Sequence, residues 1–259
     1  MNITTIINVP SDAAYFEGHF PGNPILPGVA EVALAFEALA KEVSTDISLQ
    51  GIAYMRLRQI VLPDDCLELT TKSIENGRLR VDLKREGRLV ANGEWGIGTS
   101  VATSDKRLPD SAKMTPLSDI PSLDDLLPHR PPMRFLHSIV SENVESLSCM
   151  ATIPAACALV DGGSVPAVVG LEAAAQAAAV WEALQRSREG GVAAPRVGYL
   201  VALREVAFFT DRIPADQELF VVVKLDVTMP PLSHYEVALY LGEKLLVSGM
   251  IATFLKGDE

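Results

Sequence analysis

His19 stands in the stretch of this chain best suited to chemistry. Residues 16–28 read Phe-Glu-Gly-His-Phe-Pro-Gly-Asn-Pro-Ile-Leu-Pro-Gly. Three prolines fix φ there, and three glycines permit turns or close backbone approach, so the loop is stiff. It holds one imidazole directly upstream of an expected helix start. A pre-positioned imidazole can serve as a general base near neutral pH. The free N–H groups of a helix start can polarise a carbonyl. Together these suit removal of a proton α to a thioester. A lone histidine is more often structural, but so stiff a frame has little reason to exist for packing alone.

The other reactive side chains are scattered. His129, His137 and His234 do not cluster with His19, and Cys66, Cys149 and Cys157 show no CxxC spacing, so no metal site is expected. His129 and Arg130 are expected to orient a loop, and His137 and His234 to do no chemistry. Arg56 and Arg58 alternate on an expected strand, with Arg204 in a comparable place further on and Arg196 nearby. They fit an exposed strand face and a docking patch for an acidic partner equally well. Phe20, with Phe16, Phe208 and Phe209, could line an apolar tunnel, although aromatics at such positions are more often plain core.

The elements that must position these groups fall into two halves. The chain has 259 residues, 48% hydrophobic, enough for two ordinary domains with real cores. Its formal net charge of −11 does not favour nucleic-acid binding. No apolar run reaches membrane-spanning length, since the Ala-rich stretch 165–180 is too short, and no signal peptide is evident. The odd, unpaired cysteines suggest a cytoplasmic protein. Residues 100–122 are polar, contain three prolines and lack apolar periodicity, which reads as a connector. The expected division is 1–102, a linker at 103–121, and 122–259. Each half has an apolar helix, 28–40 and 168–185, followed by strand-like runs: 47–61, 67–73, 79–84 and 88–97, then 197–209, 218–228, 235–241 and 244–254. The final hairpins echo one another, VDLKREGRLVANG against VALYLGEKLLVSG. A buried helix followed by antiparallel strands indicates an α+β fold with the sheet wrapped around the helix.

Residues 18–29, GHFPGNPILPGV, resemble the active-site loop of the 3-hydroxyacyl-acyl-carrier-protein dehydratases of the hot-dog fold, the FabA/FabZ type. The resemblance makes His19 the base and the Gly28 N–H, nine residues later, the holder of the thioester oxygen. It also calls for an acid fourteen residues after the histidine, where this chain has Ala33. The second half supplies the missing part. Residues 165–176, VPAVVGLEAAAQ, resemble the family's acid-bearing helix, with Glu172 at the acid position and Gln176 as its companion. Fourteen residues before Glu172 stands Ala158 rather than a histidine. LPHRPPM at 127–133 resembles the segment near the start of such enzymes. The first half looks like an ApeI-like dehydratase and the second like an ApeP-like one, partners in aryl-polyene pathways.

The resemblance implies a double hot-dog fold, two helix-wrapped antiparallel sheets joined into one. It implies a single composite site, His19 with Glu172, that dehydrates carrier-bound 3-hydroxyacyl thioesters to trans-2-enoyl thioesters in fatty-acid-like or aryl-polyene synthesis. No cofactor is implied beyond the phosphopantetheine presenting the substrate. The partners implied are an acyl carrier protein, which Arg56, Arg58 and Arg204 would receive if they form a docking patch rather than a plain exposed face, and a second copy of the chain, since hot-dog pairs often associate further. Glu172, on an apolar helix, is expected to be partly desolvated, with its pKa raised so that it can be protonated. A hot-dog thioesterase and a non-catalytic carrier-binding protein are the alternatives.

Overall fold

The computed structural model describes residues 2–43, 46–75, 77–108, 122–188, 190 and 195–256. Most of the expected linker, 109–121, lies outside the described residues.

The first half contains β1 (Asn2–Asn8), α1 (Gly28–Glu42), β2 (Ser48–Leu57), β3 (Cys66–Ser73), β4 (Arg78–Arg85) and β5 (Arg88–Gly98). The second contains α2 (Leu123–Leu126), β6 (Leu136–Glu142), β7 (Ser146–Thr152), β8 (Ser164–Pro166), α3 (Gly170–Arg188), β9 (Gly198–Phe208), β10 (Arg212–Pro214), β11 (Glu218–Met229), β12 (Leu232–Leu241) and β13 (Lys244–Leu255). The eight expected strand runs and both helices form. The reading missed β1, the β6–β7 hairpin and the short β8–β10 pair. Serine-rich LHSIVSE and SLSCMAT have weak strand propensity; the pairing of SLSCMAT with β11, and of LHSIVSE with SLSCMAT in turn, is what makes them strands.

Eleven strands form one sheet in the order β1-β3-β4-β5-β2-β9-β13-β12-β11-β7-β6. Read outward from the centre, β2-β5-β4-β3-β1 on one side mirrors β9-β13-β12-β11-β7 on the other. The repeated helix-then-strands order of the sequence thus becomes two similar halves, with β6 added at one edge. The seam is the antiparallel pairing of β2 with β9, from Gly51↔Ala207 to Arg56↔Ala202. Joining the halves there satisfies the backbone groups of two strands that would otherwise be open edges. This is the expected double hot-dog.

Pro27, at φ −55°, precedes α1, and proline suits a helix entrance because it has no N–H to satisfy. Lys41 in the last turn of α1 complements the helix dipole. Alanines fill much of α3, which lets it sit close against the sheet. Residues 167–188 are long and apolar enough to cross a membrane by composition, because the helix runs on past the expected end of the apolar stretch. Its most apolar window is 83% buried in protein, however, and it serves as a core helix. α1 meets the turn at 167–169 that opens α3, and both helices belong to one continuous core with Val29, Leu39, Leu171 and Val180.

Candidate active site

The His19 loop is held by its own backbone. Asn23 N–H donates to the Phe20 carbonyl at 2.9 Å, Ile25 N–H to the His19 carbonyl at 3.3 Å, and Leu26 N–H to the Val61 carbonyl at 2.9 Å. Nδ1 of His19 lies 3.0 Å from the Ile25 carbonyl oxygen. That oxygen can only accept, so Nδ1 carries the hydrogen and Nε2 is left with the lone pair. The imidazole is 6% exposed and stacks on Phe20 with centroids 4.2 Å apart. Phe20 is therefore a brace for the base and part of the buried core.

The loop after α2 docks onto this one from the second half. Arg130 N–H donates to the Gly18 carbonyl at 3.0 Å. Gly18 has φ +80°, and a Cβ placed on it would lie 2.0 Å from the Arg130 carbonyl oxygen. Only glycine permits this approach. The Arg130 guanidinium turns back onto the carbonyls of Leu127 and His129, both at 2.8 Å. His129 is thereby presented edge-on to Phe20, with centroids 4.8 Å apart, and 5.3 Å from the His19 ring.

Glu172, in the first turn of α3, is 3% exposed. Its Oε1 stands 3.2 Å from His129 Nε2 and accepts from Gln176 Nε2 at 3.1 Å. Gln176 is itself fixed. It donates to the Met133 carbonyl at 2.7 Å and accepts from Phe135 N–H at 2.9 Å. One glutamine thus locks the acid-bearing helix to the chain that follows His129.

The electrostatics correct one expectation. Burial does push the Glu172 carboxyl upward. His129 opposes this through its hydrogen bond and its charge, and His19 and Gln176 add to the opposition, so the group is held at about 2. Glu172 is ionised rather than protonated, because a histidine distant in sequence lies against it. Burial is also the largest influence on His19 and pushes it below the ordinary histidine value. Glu172 works against that and His129 works with it.

A cavity of about 330 Å³ joins the pieces. His19, Gly28, His129 and Glu172 line it, and from Glu172 it follows Ala175, Ala179 and Glu182 along one face of α3. Gly28 opens α1 at the cavity wall, where a Cβ would lie 2.4 Å from Leu57 Cδ1. First-turn N–H groups have no helical acceptor, so this one can face a ligand carbonyl. Arg58 lines the cavity and donates to Asn92 Oδ1 at 2.9 Å. Arg56 and Arg204 are exposed on β2 and β9 beside the seam, away from the cavity lining. Ala33 faces a second cavity of about 570 Å³, with Phe36, Glu37, Ala167 and Phe208. That is the reciprocal position, and no histidine is among its described lining residues.

Sequence reasoning missed three groups at the first cavity. His129 was expected to be structural, and the family-like LPHR segment was the signal that could have placed it. Glu31, in the first turn of α1, is 4% exposed on the cavity wall, and Oε2 has no hydrogen-bond partner among the described residues. Glu182 accepts from Tyr235 Oη at 2.6 Å and lines the cavity further along α3. The ligand atoms of His19, His129 and Glu172 lie within 4.8 Å of one another. Glu172 Oε1 is already shared by two nitrogen groups, which suits proton transfer.

Comparison with known proteins matches each half to a dehydratase family. Residues 121–258 match the ApeP-like family, described as ApeP dehydratase, and residues 1–94 match the ApeI-like family, described as ApeI dehydratase. The 3-hydroxyacyl-(acyl-carrier-protein) dehydratase FabZ of Oleidesulfovibrio alaskensis is 34% identical over 105 residues, covering 36% of this chain and 64% of that protein. The FabZ of Caldicellulosiruptor saccharolyticus is 33% identical over 104 residues, covering 34% of this chain and 71% of that one. Among solved structures, the dehydratase domain of PpsC from Mycobacterium tuberculosis, in complex with C12:1-CoA, superposes with a TM-score of 0.70 at 18% identity, covering 98% of this chain and 94% of that one. It shares the fold. This chain belongs to the ApeP-like dehydratases, with an ApeI-like dehydratase half joined ahead of the ApeP-like one.

Proposed function

We propose that this chain dehydrates 3-hydroxyacyl thioesters to trans-2-enoyl thioesters at one composite site. The observation that carries the reading is the convergence of His19 from the first half and Glu172 from the second on one cavity at the N-terminus of α1. His19 Nε2 takes the α-proton. Gly28 N–H receives the thioester oxygen as charge develops on it. The leaving hydroxyl is protonated from the Glu172 side. Base and acid stand on opposite halves, as removal of a proton and a hydroxyl from neighbouring carbons requires. The second cavity has an alanine at the acid position and no histidine among its described lining residues, so it does no chemistry. The functional units are 1–102 and 122–259, joined by 103–121.

The substrate arrives on the phosphopantetheine of an acyl carrier protein, in fatty-acid-like or aryl-polyene synthesis, and the chemistry asks for no further cofactor. The test is to supply the purified chain with a carrier-bound 3-hydroxyacyl thioester and follow enoyl absorbance and free thiol together. Enoyl product without thiol supports the dehydratase. Thiol release without enoyl product would make the chain a thioesterase. Neither signal would leave a carrier-binding protein.

A further inference from the structure

The buried carboxylate of Glu172 poses a chemical problem. An acid must bring a proton, and a carboxylate held this far down has none near neutral pH. The group beside it solves the problem. His129 is 6% exposed, lines the cavity and faces Glu172 Oε1 through Nε2 at 3.2 Å. Its other nitrogen, Nδ1, is buried without a hydrogen-bond partner among the described residues. The ring is thus held by backbone and by Phe20, and its polar contact is spent on Glu172. A histidine serving only to fasten the loop would be expected to bond to that loop. Here Arg130 does the fastening.

We infer that the acid of this site is a pair, with His129 holding the proton that Glu172 passes to the departing hydroxyl. The inference rests on the dehydratase reading above. Before reaction the pair holds one proton between Nε2 and Oε1, and His19 is neutral. The Cα–H bond breaks and its proton goes to His19. The electron pair forms the Cα=Cβ bond, and the Cβ–O bond breaks. The hydroxyl takes the pair's proton through Glu172 and leaves as water. His19 is then protonated, His129 neutral and Glu172 a carboxylate, so the charge of the three is unchanged. The His19 and His129 rings are 5.3 Å apart, and one proton returned between them resets the site. His129 acts through Glu172 and is a positioning residue with a proton to give.

The groups facing the pair are His19 from the first-half loop, Gln176 from α3, and the Cys157 thiol, whose pKa is raised by burial and then by Glu172. Glu31 lines the same cavity from α1. Of these, burial holds His19 below the ordinary histidine value, and it must be unprotonated to act.

The experiment is the pH profile of kcat/KM for wild type and His129→Gln on a short 3-hydroxyacyl pantetheine thioester, with folding checked by Tm. Without His129, Glu172 must carry the proton alone, and burial then raises it. Turnover near pH 7 should fall by roughly 10²-fold, the scale of a lost acid. The remaining activity should climb as pH falls, so the optimum moves to lower pH until His19 protonates. If His129→Gln does not fold, His129→Asn is measured instead. A variant profile parallel to wild type at every pH, equal or uniformly lower, overturns the pair. A wild-type chain that forms no enoyl product overturns the dehydratase reading itself, which is a different result.

Discussion

Arg130 N–H donates to the Gly18 carbonyl at 3.0 Å, and through that bond the loop of His129 is tied to the loop of His19. The two histidines come from different halves of the chain, and this backbone contact, with Phe20 packed against both rings, holds their loops together. Gly18→Ala should break this contact. The new Cβ would sit 2.0 Å from the Arg130 carbonyl oxygen, and φ of +80° is itself unfavourable for alanine by about 1–2 kcal/mol. The expected result is a lower Tm, by about 2–4 °C for each kcal/mol in a chain of this size, and a fall in kcat larger than the change in KM. Steady-state kinetics at a temperature where the variant is folded checks it, and an unchanged kcat would mean the contact does not place the base.

His19→Ala and Glu172→Gln should each lower dehydration by roughly 10²–10⁴-fold. The double variant should be little worse than the worse single one, because both groups act in one transition state. Replacing Ala33 or Ala158 should act through packing alone. Two fully additive losses would point to separate sites.

The acid limb of the rate profile belongs to His19. Burial keeps its pKa below the ordinary histidine value, and the neutral form is the base. Activity should therefore persist down to about pH 6.5 and decline below it. Stability follows the same sign. Below about pH 6.5 the unfolded chain binds a proton that the folded His19 refuses, so the Tm should drop as pH falls through that window. His19→Asn should flatten this part of the Tm curve, and an identical curve would remove His19 from the linkage.

Glu31 has the opposite sign. Burial raises its carboxyl well above the usual 4.5, with Arg85 opposing and Asp65 assisting. The folded chain keeps a proton that the unfolded chain loses, so this residue costs stability increasingly as pH rises above about 4.5. Glu31→Gln should raise the Tm near pH 7 and leave it unchanged near pH 4. It should keep most of the dehydratase activity, whereas Glu172→Gln should not. The reverse pattern of activities would move the acid to the first half.

Arg58 at the cavity, with Arg56 on the outer strand face, presents positive charge in a chain of net charge −11. Replacing both by glutamate should weaken turnover of carrier-bound substrate more than that of a short thioester. The difference should shrink as salt is added, since exposed charges are screened within about 10 Å at 0.1 M. Equal loss on both substrates would assign Arg58 to the cavity alone and leave Arg56 without a docking role.

The sequence by itself determined what depends on near neighbours. Prolines and glycines stiffen residues 16–28 wherever that segment lies. The helix beginning at Gly28, the Ala-rich helix bearing Glu172, the hairpins and their repeated order all follow from local period and turn chemistry. The family-like motifs placed His19, Gly28, Glu172 and Gln176 before any fold was known. What the tertiary structure decided depends on contacts between distant segments. β2 meets β9 only when two halves fold against one another, and that seam brings His19 of one half and Glu172 of the other to the same cavity. His129 lies far from both His19 and Glu172 along the chain, so no spacing rule could reveal that its ring touches the acid. The protonation of Glu172 reversed for the same reason. Local composition predicts desolvation, which raises a carboxyl, but a carboxyl's pKa is the sum of that effect and every charge and hydrogen bond nearby. His129 comes from another loop, and only the folded chain brings it within 3.2 Å of the carboxylate.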